Sequence, residues 1–152
     1  MVLDCFAGDE RIWREIQKRT GRKIYHLPID VLDYGKFHLP GNNLKYLKTM
    51  DISKFNVIDL DCYGVPYKQL EVLFNRGYKG IIFVTFIQSL FGNLPHGLLQ
   101  DIGFTKAMID ACPTLCCRNG FDHLKEYLSL REIKIIWHIS PTDQKHYLCL
   151  QI

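Results

Sequence analysis

Short apolar runs that end in a carboxylate and a glycine constrain this chain more than any other feature. Val57-Ile58 leads into Asp59-Leu60-Asp61-Cys62-Tyr63-Gly64, and far upstream Met1-Val2-Leu3 leads into Asp4-Cys5-Phe6-Ala7-Gly8. In an open α/β sheet, strand ends of this kind line the crevice where ligands bind. Strand-like and helix-like stretches alternate along the rest of the chain, which predicts βα units and a mainly parallel sheet.

Strands are expected over 2–6, 23–29, 44–50, 56–60 and 80–86. The helix over 9–20 takes Asp9 as its N-cap, Ile12, Trp13 and Ile16 as its buried stripe, and Gly21 as its stop. Residues 33–43 hold three glycines or prolines and read mostly as loop. A second helix spans 66–75, with proline in its first turn and Leu70, Val72, Leu73 and Phe74 as apolar positions. The nearly continuous apolar run over 80–86 predicts a central strand covered on both faces, with Phe83 and Val84 inside. A helical stretch over 94–111 is broken by Gly97 and Gly103, and another helix begins near Asn119. The end differs, because 133–139 and 146–152 flank Ser140-Pro141-Thr142-Asp143-Gln144 and form an antiparallel hairpin.

With 152 residues, 47% of them hydrophobic and 23% charged, the chain is expected to form a single soluble domain over 1–152. No apolar run approaches the roughly 20 residues of a membrane span, and Met1 leads almost directly into a strand, so no membrane association and a cytoplasmic location are expected. There the six cysteines are mostly reduced thiols. The net charge of +3 permits a nucleic-acid partner without demanding one. Arg11, Arg14, Lys18, Arg19, Arg22 and Lys23 crowd the first helix and the turn after it, as a solvated face or as a phosphate-contacting patch.

The two strand-end motifs together resemble the S-adenosylmethionine-dependent methyltransferases with a Rossmann-like fold. The tip Asp-Leu-Asp-Cys-Tyr-Gly is most similar to the Asp-Leu-Asp-Pro-Phe-Gly signature of tRNA guanine-N2 dimethyltransferases. The resemblance covers nearly the whole chain and implies a methyltransferase sandwich: a mostly parallel sheet closed by the antiparallel C-terminal hairpin. It implies S-adenosylmethionine as cofactor and an exocyclic amine of a nucleic acid as acceptor, RNA ahead of DNA, hence an N-methyltransferase in RNA modification. Asp4-Cys5-Phe6-Ala7-Gly8-Asp9-Glu10 stands at the family's first motif, where Asp4 would face the methionyl ammonium, Phe6 would stand beside the cofactor, and the small Ala7 and Gly8 would let the backbone approach it. Glu10 stands where a glycine is usual, and its charge would repel the cofactor carboxylate unless it turns towards the ammonium or ribose. Pro28 falls where relatives place a ribose-binding acid. Asp30, two residues on, is either that acid displaced or a surface turn residue. Asp51 and Ile52, after the expected third strand, match the acid and apolar neighbour that hold adenine; the other reading makes Asp51 the cap of a short turn containing Ser53.

A nucleobase amine is a poor nucleophile because its lone pair is delocalised, so it must be aligned and its N–H groups accepted as charge develops. Asp61, the Cys62 carbonyl and the Tyr63 ring supply two acceptors and a stacking surface. Cys62 replaces a proline of the signature, and Asp59 braces the strand. Three departures at three motifs, Glu10, Pro28 and Cys62, support an alternative: a methyltransferase-like module that has lost catalysis and serves binding or assembly. No metal site is expected, since Cys112, Cys116, Cys117 and His123 lack paired CxxC spacing. A dinucleotide-binding oxidoreductase is disfavoured because Gly8 is the only glycine of the first loop. Oligomeric state is left open by the sequence.

Overall fold

The computed structural model describes residues 1–32, 38–88, 92–114, 116 and 118–152. Its strands are β1 (Val2–Asp4), β2 (His26–Asp30), β3 (Leu39–Pro40), β4 (Val57–Leu60), β5 (Ile81–Ile87), β6 (Lys134–Thr142) and β7 (Lys145–Gln151). Its helices are α1 (Arg11–Thr20), α2 (Asn43–Thr49), α3 (Tyr67–Asn75), α4 (His96–Asp101), α5 (Lys106–Ala111) and α6 (Gly120–Leu130), with a 3-10 turn over Ile52–Lys54. The hydrogen-bonded strand order is β3-β2-β1-β4-β5-β7-β6. This is the expected α/β fold, with β1, β2, β3 and β4 parallel and β6 antiparallel to β7. Two compact units share the chain, one over Met1–Asp61 and Lys68–Phe83, the other over Cys62–Tyr67 and Val84–Ile152.

In the first unit, β1 lies between β2 and β4, so the chain order reverses beside it and opens a crevice at the strand ends. Leu3 of β1, Ile29 of β2, Ile58 of β4 and Ile82 of β5 are fully buried. The helix α1 ends as its sequence predicts, with Gly21 left-handed and its amide donating to the Gln17 carbonyl. Its buried stripe is narrower than expected: Trp13 is buried, whereas Ile12 is exposed. Arg76 donates to the Leu47 and Met50 carbonyls and so closes the C-terminal end of α2, where backbone acceptors have no helical partner.

Residues 44–50 are a helix and not the expected third strand. Leu44 and Tyr46 imitate a period of two, but Asn42 caps the segment by accepting from the Leu44 amide, and the buried Asn43 and Leu47 are four residues apart on one helical face. The third strand is the two-residue β3, with Pro40 at the sheet edge where a missing N–H costs no ladder bond. Of the expected loop over 33–43, residues 33–37 lie outside the described residues. Phe83 is partly exposed, and its ring centroid is 6.1 Å from that of Trp13, so coverage of β5 is less complete than its sequence suggests.

In the second unit, the hairpin runs longer than expected and narrows to a turn at Asp143-Gln144, with register shifts between Ile135 and Trp137 and between Ile139 and Thr142. Phe86 of β5 is buried 5.8 Å from the rings of both Phe121 and His146. Gly97 does not break its helix; it lies inside α4 because a Cβ there would stand 2.6 Å from the Tyr67 ring. Tyr67 in turn donates to Asp101, which also pairs with Arg131. Among the described residues no helix is long and apolar enough to cross a membrane.

Ile82 is fully buried on β5. Ile82→Ala should therefore cost about 2–5 kcal/mol, read from urea unfolding, and a loss below about 1 kcal/mol would mean that β5 is not central.

Candidate active site

The site is built by strand register. Asp4 of β1 lies directly beside Asp59 of β4, and both side chains are buried. Two adjacent carboxylates in a poorly solvated place disfavour double ionisation, and burial, followed by the neighbouring Asp4 charge, pushes the Asp59 carboxyl from 3.8 up to about 7. The Trp13 indole opposes this by donating to Asp59 Oδ2 at 2.8 Å. Asp4 accepts from the Phe6 amide through Oδ1, while its Oδ2 lies 3.2 Å from His26 Nε2. Burial, then the charges of Asp4 and Asp59, raise the Cys5 thiol well above its ordinary value.

Past β1 the chain turns sharply. Gly8 is left-handed at φ +51, and a Cβ there would meet nothing within 4 Å, so its requirement for glycine is conformational. Its amide donates to Asp30 Oδ2 at 3.0 Å. Asp30 is the last residue of β2 and also accepts from the Leu32 amide, so this acid stands both beside the first loop and at the start of the exposed bend after β2. Register puts Pro28 beside Asp4, inside the strand.

Glu10, and not the expected Asp9, is the residue that precedes α1, and it adopts a left-handed backbone at φ 62 that costs a non-glycine residue about 1–2 kcal/mol. Its carboxylate is turned into the protein. Oε1 lies 3.0 Å from His38 Nδ1, Oε2 lies 2.9 Å from Arg14 Nη2, and Oε2 is 3.9 Å from His26 Nδ1. His38 and His26 are site residues that the sequence does not reveal, because they stand 28 and 16 positions from Glu10 and reach it only through the sheet.

These elements enclose an open cup of about 210 Å³ lined by Asp4, Phe6, Ala7, Gly8, Asp9, Glu10, Arg11, Ile12, Asp59 and Asp61. Its walls are strongly acidic, which favours a ligand carrying positive charge. Asp51 and Ile52 are not among its lining residues. Asp51 follows α2 and caps the 3-10 turn through the Ser53 amide and hydroxyl; the Ser53 hydroxyl holds its carboxyl below the usual range. Ile52 is buried.

Asp61 ends the first unit at the rim of this cup. The second unit begins with Cys62, which is buried with its Sγ 3.7 Å from the Thr85 carbonyl, and Tyr63, whose side chain is wholly exposed. That unit has its own cavity of about 560 Å³, lined in part by Phe86, Arg118, Phe121 and His146. Cys112 is exposed and Cys116 buried, while Cys117 lies outside the described residues. Of the basic group on and after α1, Arg11 pairs with Asp9, Arg14 with Glu10 and Arg19 with Glu15.

No protein-family model matches the chain, and no curated protein matches its sequence. Solved structures do match. A SAM dependent methyltransferase from Archaeoglobus fulgidus superposes with a TM-score of 0.56 at 14% identity, over 99% of this chain and 85% of that one. TrmK of M. capricolum, in complex with the natural cofactor product S-adenosyl-homocysteine, gives 0.51 at 12% identity, over 99% of this chain and 61% of that one. A pericyclic reaction enzyme gives 0.54 at 9% identity, and this chain spans 42% of its length. The chain therefore has the Rossmann-like fold of S-adenosylmethionine-dependent methyltransferases, a fold that also carries other chemistry.

The raised Asp59 carboxyl makes a stability prediction. Its folded value of about 7 lies above the ordinary 3.8, so deprotonation costs the folded state more than the unfolded one. Its favourable contribution is whole below about pH 4 and is lost as pH climbs through about 7. Asp59→Asn, which keeps an acceptor for Trp13, should flatten the fall in stability between those limits. Urea unfolding across that range checks this, and an unchanged slope would contradict it.

Proposed function

We propose that this chain is an S-adenosylmethionine-dependent N-methyltransferase acting on an exocyclic amine of a nucleic acid, RNA ahead of DNA. The observation that carries the reading is the convergence of Asp4, Asp59, Asp61 and the Gly8 turn on one acidic cup where the strand order reverses. When bound, the cofactor supplies a methyl group on a positively charged sulfur. The residues fit such a ligand: Asp4, Asp59 and Asp61 offset sulfonium and ammonium charge, and the Ala7-Gly8 turn leaves room for close approach. Each oxygen of the Asp30 carboxylate already takes one amide and has acceptor capacity left for a ribose hydroxyl. Asp51 and Ile52 would hold adenine in this reading by the resemblance alone, since neither lines the cup.

The consecutive residues Asp61, Cys62 and Tyr63 then serve the acceptor. Asp61 takes a hydrogen bond from the target amine, holds it in line, and receives the proton that the methylated nitrogen sheds. The Cys62 carbonyl takes the amine's second N–H. The exposed Tyr63 ring stacks on the base, an interaction generally worth about 1–3 kcal/mol. A binding module without catalysis is the competing reading, supported by Glu10, Pro28 and Cys62 at positions where the resembling enzymes carry glycine, an acid and proline.

Transfer of labelled methyl groups to bulk RNA and to unmethylated DNA tests the proposal. Asp61→Ala should lower the rate about 10²–10³-fold while calorimetry finds S-adenosylhomocysteine affinity changed only a few-fold. Gly8→Val should abolish that affinity, because a β-branched residue is strained in the left-handed conformation the turn needs. Full activity in Asp61→Ala would sink the mechanism. Wild-type protein that binds the cofactor product but is inert on both nucleic acids would favour the binding module.

A further inference from the structure

His38 is held between two acceptors. Its Nδ1 lies 3.0 Å from the Glu10 carboxylate, and its Nε2 lies 3.0 Å from the carbonyl oxygen of Gly8. Neither oxygen can donate to an imidazole while Glu10 is ionised, so both contacts are hydrogen bonds only if both ring nitrogens carry hydrogen. The ring is enclosed, with 4% of the His38 side chain and 11% of the Glu10 side chain exposed. Gly8 and Glu10 are the two left-handed residues of the loop, so one imidazole grips both bends of the backbone that surround the cup.

We infer that His38 and Glu10 form a charge-neutralising clasp that fixes the first loop and lets an acidic cup accept a ligand's carboxylate. Among the described residues, the charged groups facing the clasp are Arg14 of α1 on Glu10 Oε2, His26 of β2 between Glu10 and Asp4, Asp4 of β1, and Asp30 on the Gly8 amide. Glu10 stands where a side chain is costly, yet its carboxylate is drawn onto His38 and Arg14 and so adds no bare negative charge to the ligand space. Remove His38, and among the described residues Glu10 keeps the solvent-exposed Arg14, with His26 Nδ1 farther off at 3.9 Å. A zwitterionic amino-acid tail would then meet net negative walls, while a neutral nucleoside would feel little difference. His38 is thus a positioning residue that sets ligand selectivity, an assignment that rests on the cofactor reading above for the identity of the tail.

Two measurements on the full chain test it. A long-range proton–nitrogen spectrum of wild type at neutral pH should show both His38 nitrogens with protonated-type shifts. One pyridine-type nitrogen overturns the clasp, whatever ligand binds. Calorimetry then compares S-adenosylhomocysteine, which carries the amino-acid tail, with 5′-methylthioadenosine, which lacks it. His38→Gln should weaken the first about tenfold, equivalent to about 1.4 kcal/mol, and leave the second within twofold, as a rough threshold. Adding Glu10→Gln to that variant should restore the first. Equal weakening of both ligands would reduce His38 to a structural role and overturn the selectivity. Should His38→Gln fail to fold, Glu10→Gln alone decides: loss of the second protonated nitrogen at His38 supports the clasp, and its persistence overturns it. Wild type that binds neither ligand but shows the doubly protonated ring defeats the cofactor reading and supports the clasp.

Discussion

The register of β1 against β4 sets a carboxylate beside a carboxylate, Asp4 against Asp59, and the neighbouring structure follows from accommodating that pair. Two buried negative charges side by side are expensive, and each has a named compensation: the Trp13 indole on Asp59, the Phe6 amide and His26 on Asp4. Trp13 is buried on α1 because it must reach Asp59, which anchors the first helix over the strand ends. The raised Asp59 carboxyl is what this arrangement leaves over. Such a pair persists in a folded protein at a cost in stability, and a cationic ligand at the same place would repay it.

A sheet that reverses order beside β1 puts that acidic pair at the mouth of a crevice, where open α/β folds hold their ligands. The likeness to methyltransferase structures at 14% and 12% identity is a likeness of fold. Chemistry has to be argued from the cup itself: acidic walls, a left-handed glycine whose amide is tied to Asp30, and a lining glutamate whose carboxylate is held by His38 and Arg14.

Much of this was legible in the sequence, and for physical reasons. Apolar runs ending in Asp and Gly marked β1 and β4, Gly21 marked the end of α1, and the C-terminal pattern marked the β6–β7 hairpin. Residues 44–50 resemble a strand in sequence because a seven-residue helix is too short for its period to outweigh an accidental alternation, and the Asn42 cap is the signal that marks the helix. In the sequence Asp30 falls just past the expected strand over 23–29; β2 starts three residues later and ends one residue later, at Asp30, so the acid stands at the strand tip. Taking 44–50 as a strand is what puts Asp51 at a strand end, where the structure has the end of a helix. His26 and His38 were invisible because lone histidines have no spacing signature, and only the sheet brings them to Glu10.

The central claim is that the cup at the ends of β1 and β4 is the cofactor site, and chemical-shift mapping of the isotopically labelled chain tests it most directly. Addition of S-adenosylhomocysteine should move the backbone amide signals of Phe6, Ala7 and Gly8 in proportion to its occupancy. Unmoved signals at those three residues, with shifts instead at Gln88, Gly120 and Phe121 around the second unit's cavity, would contradict the account.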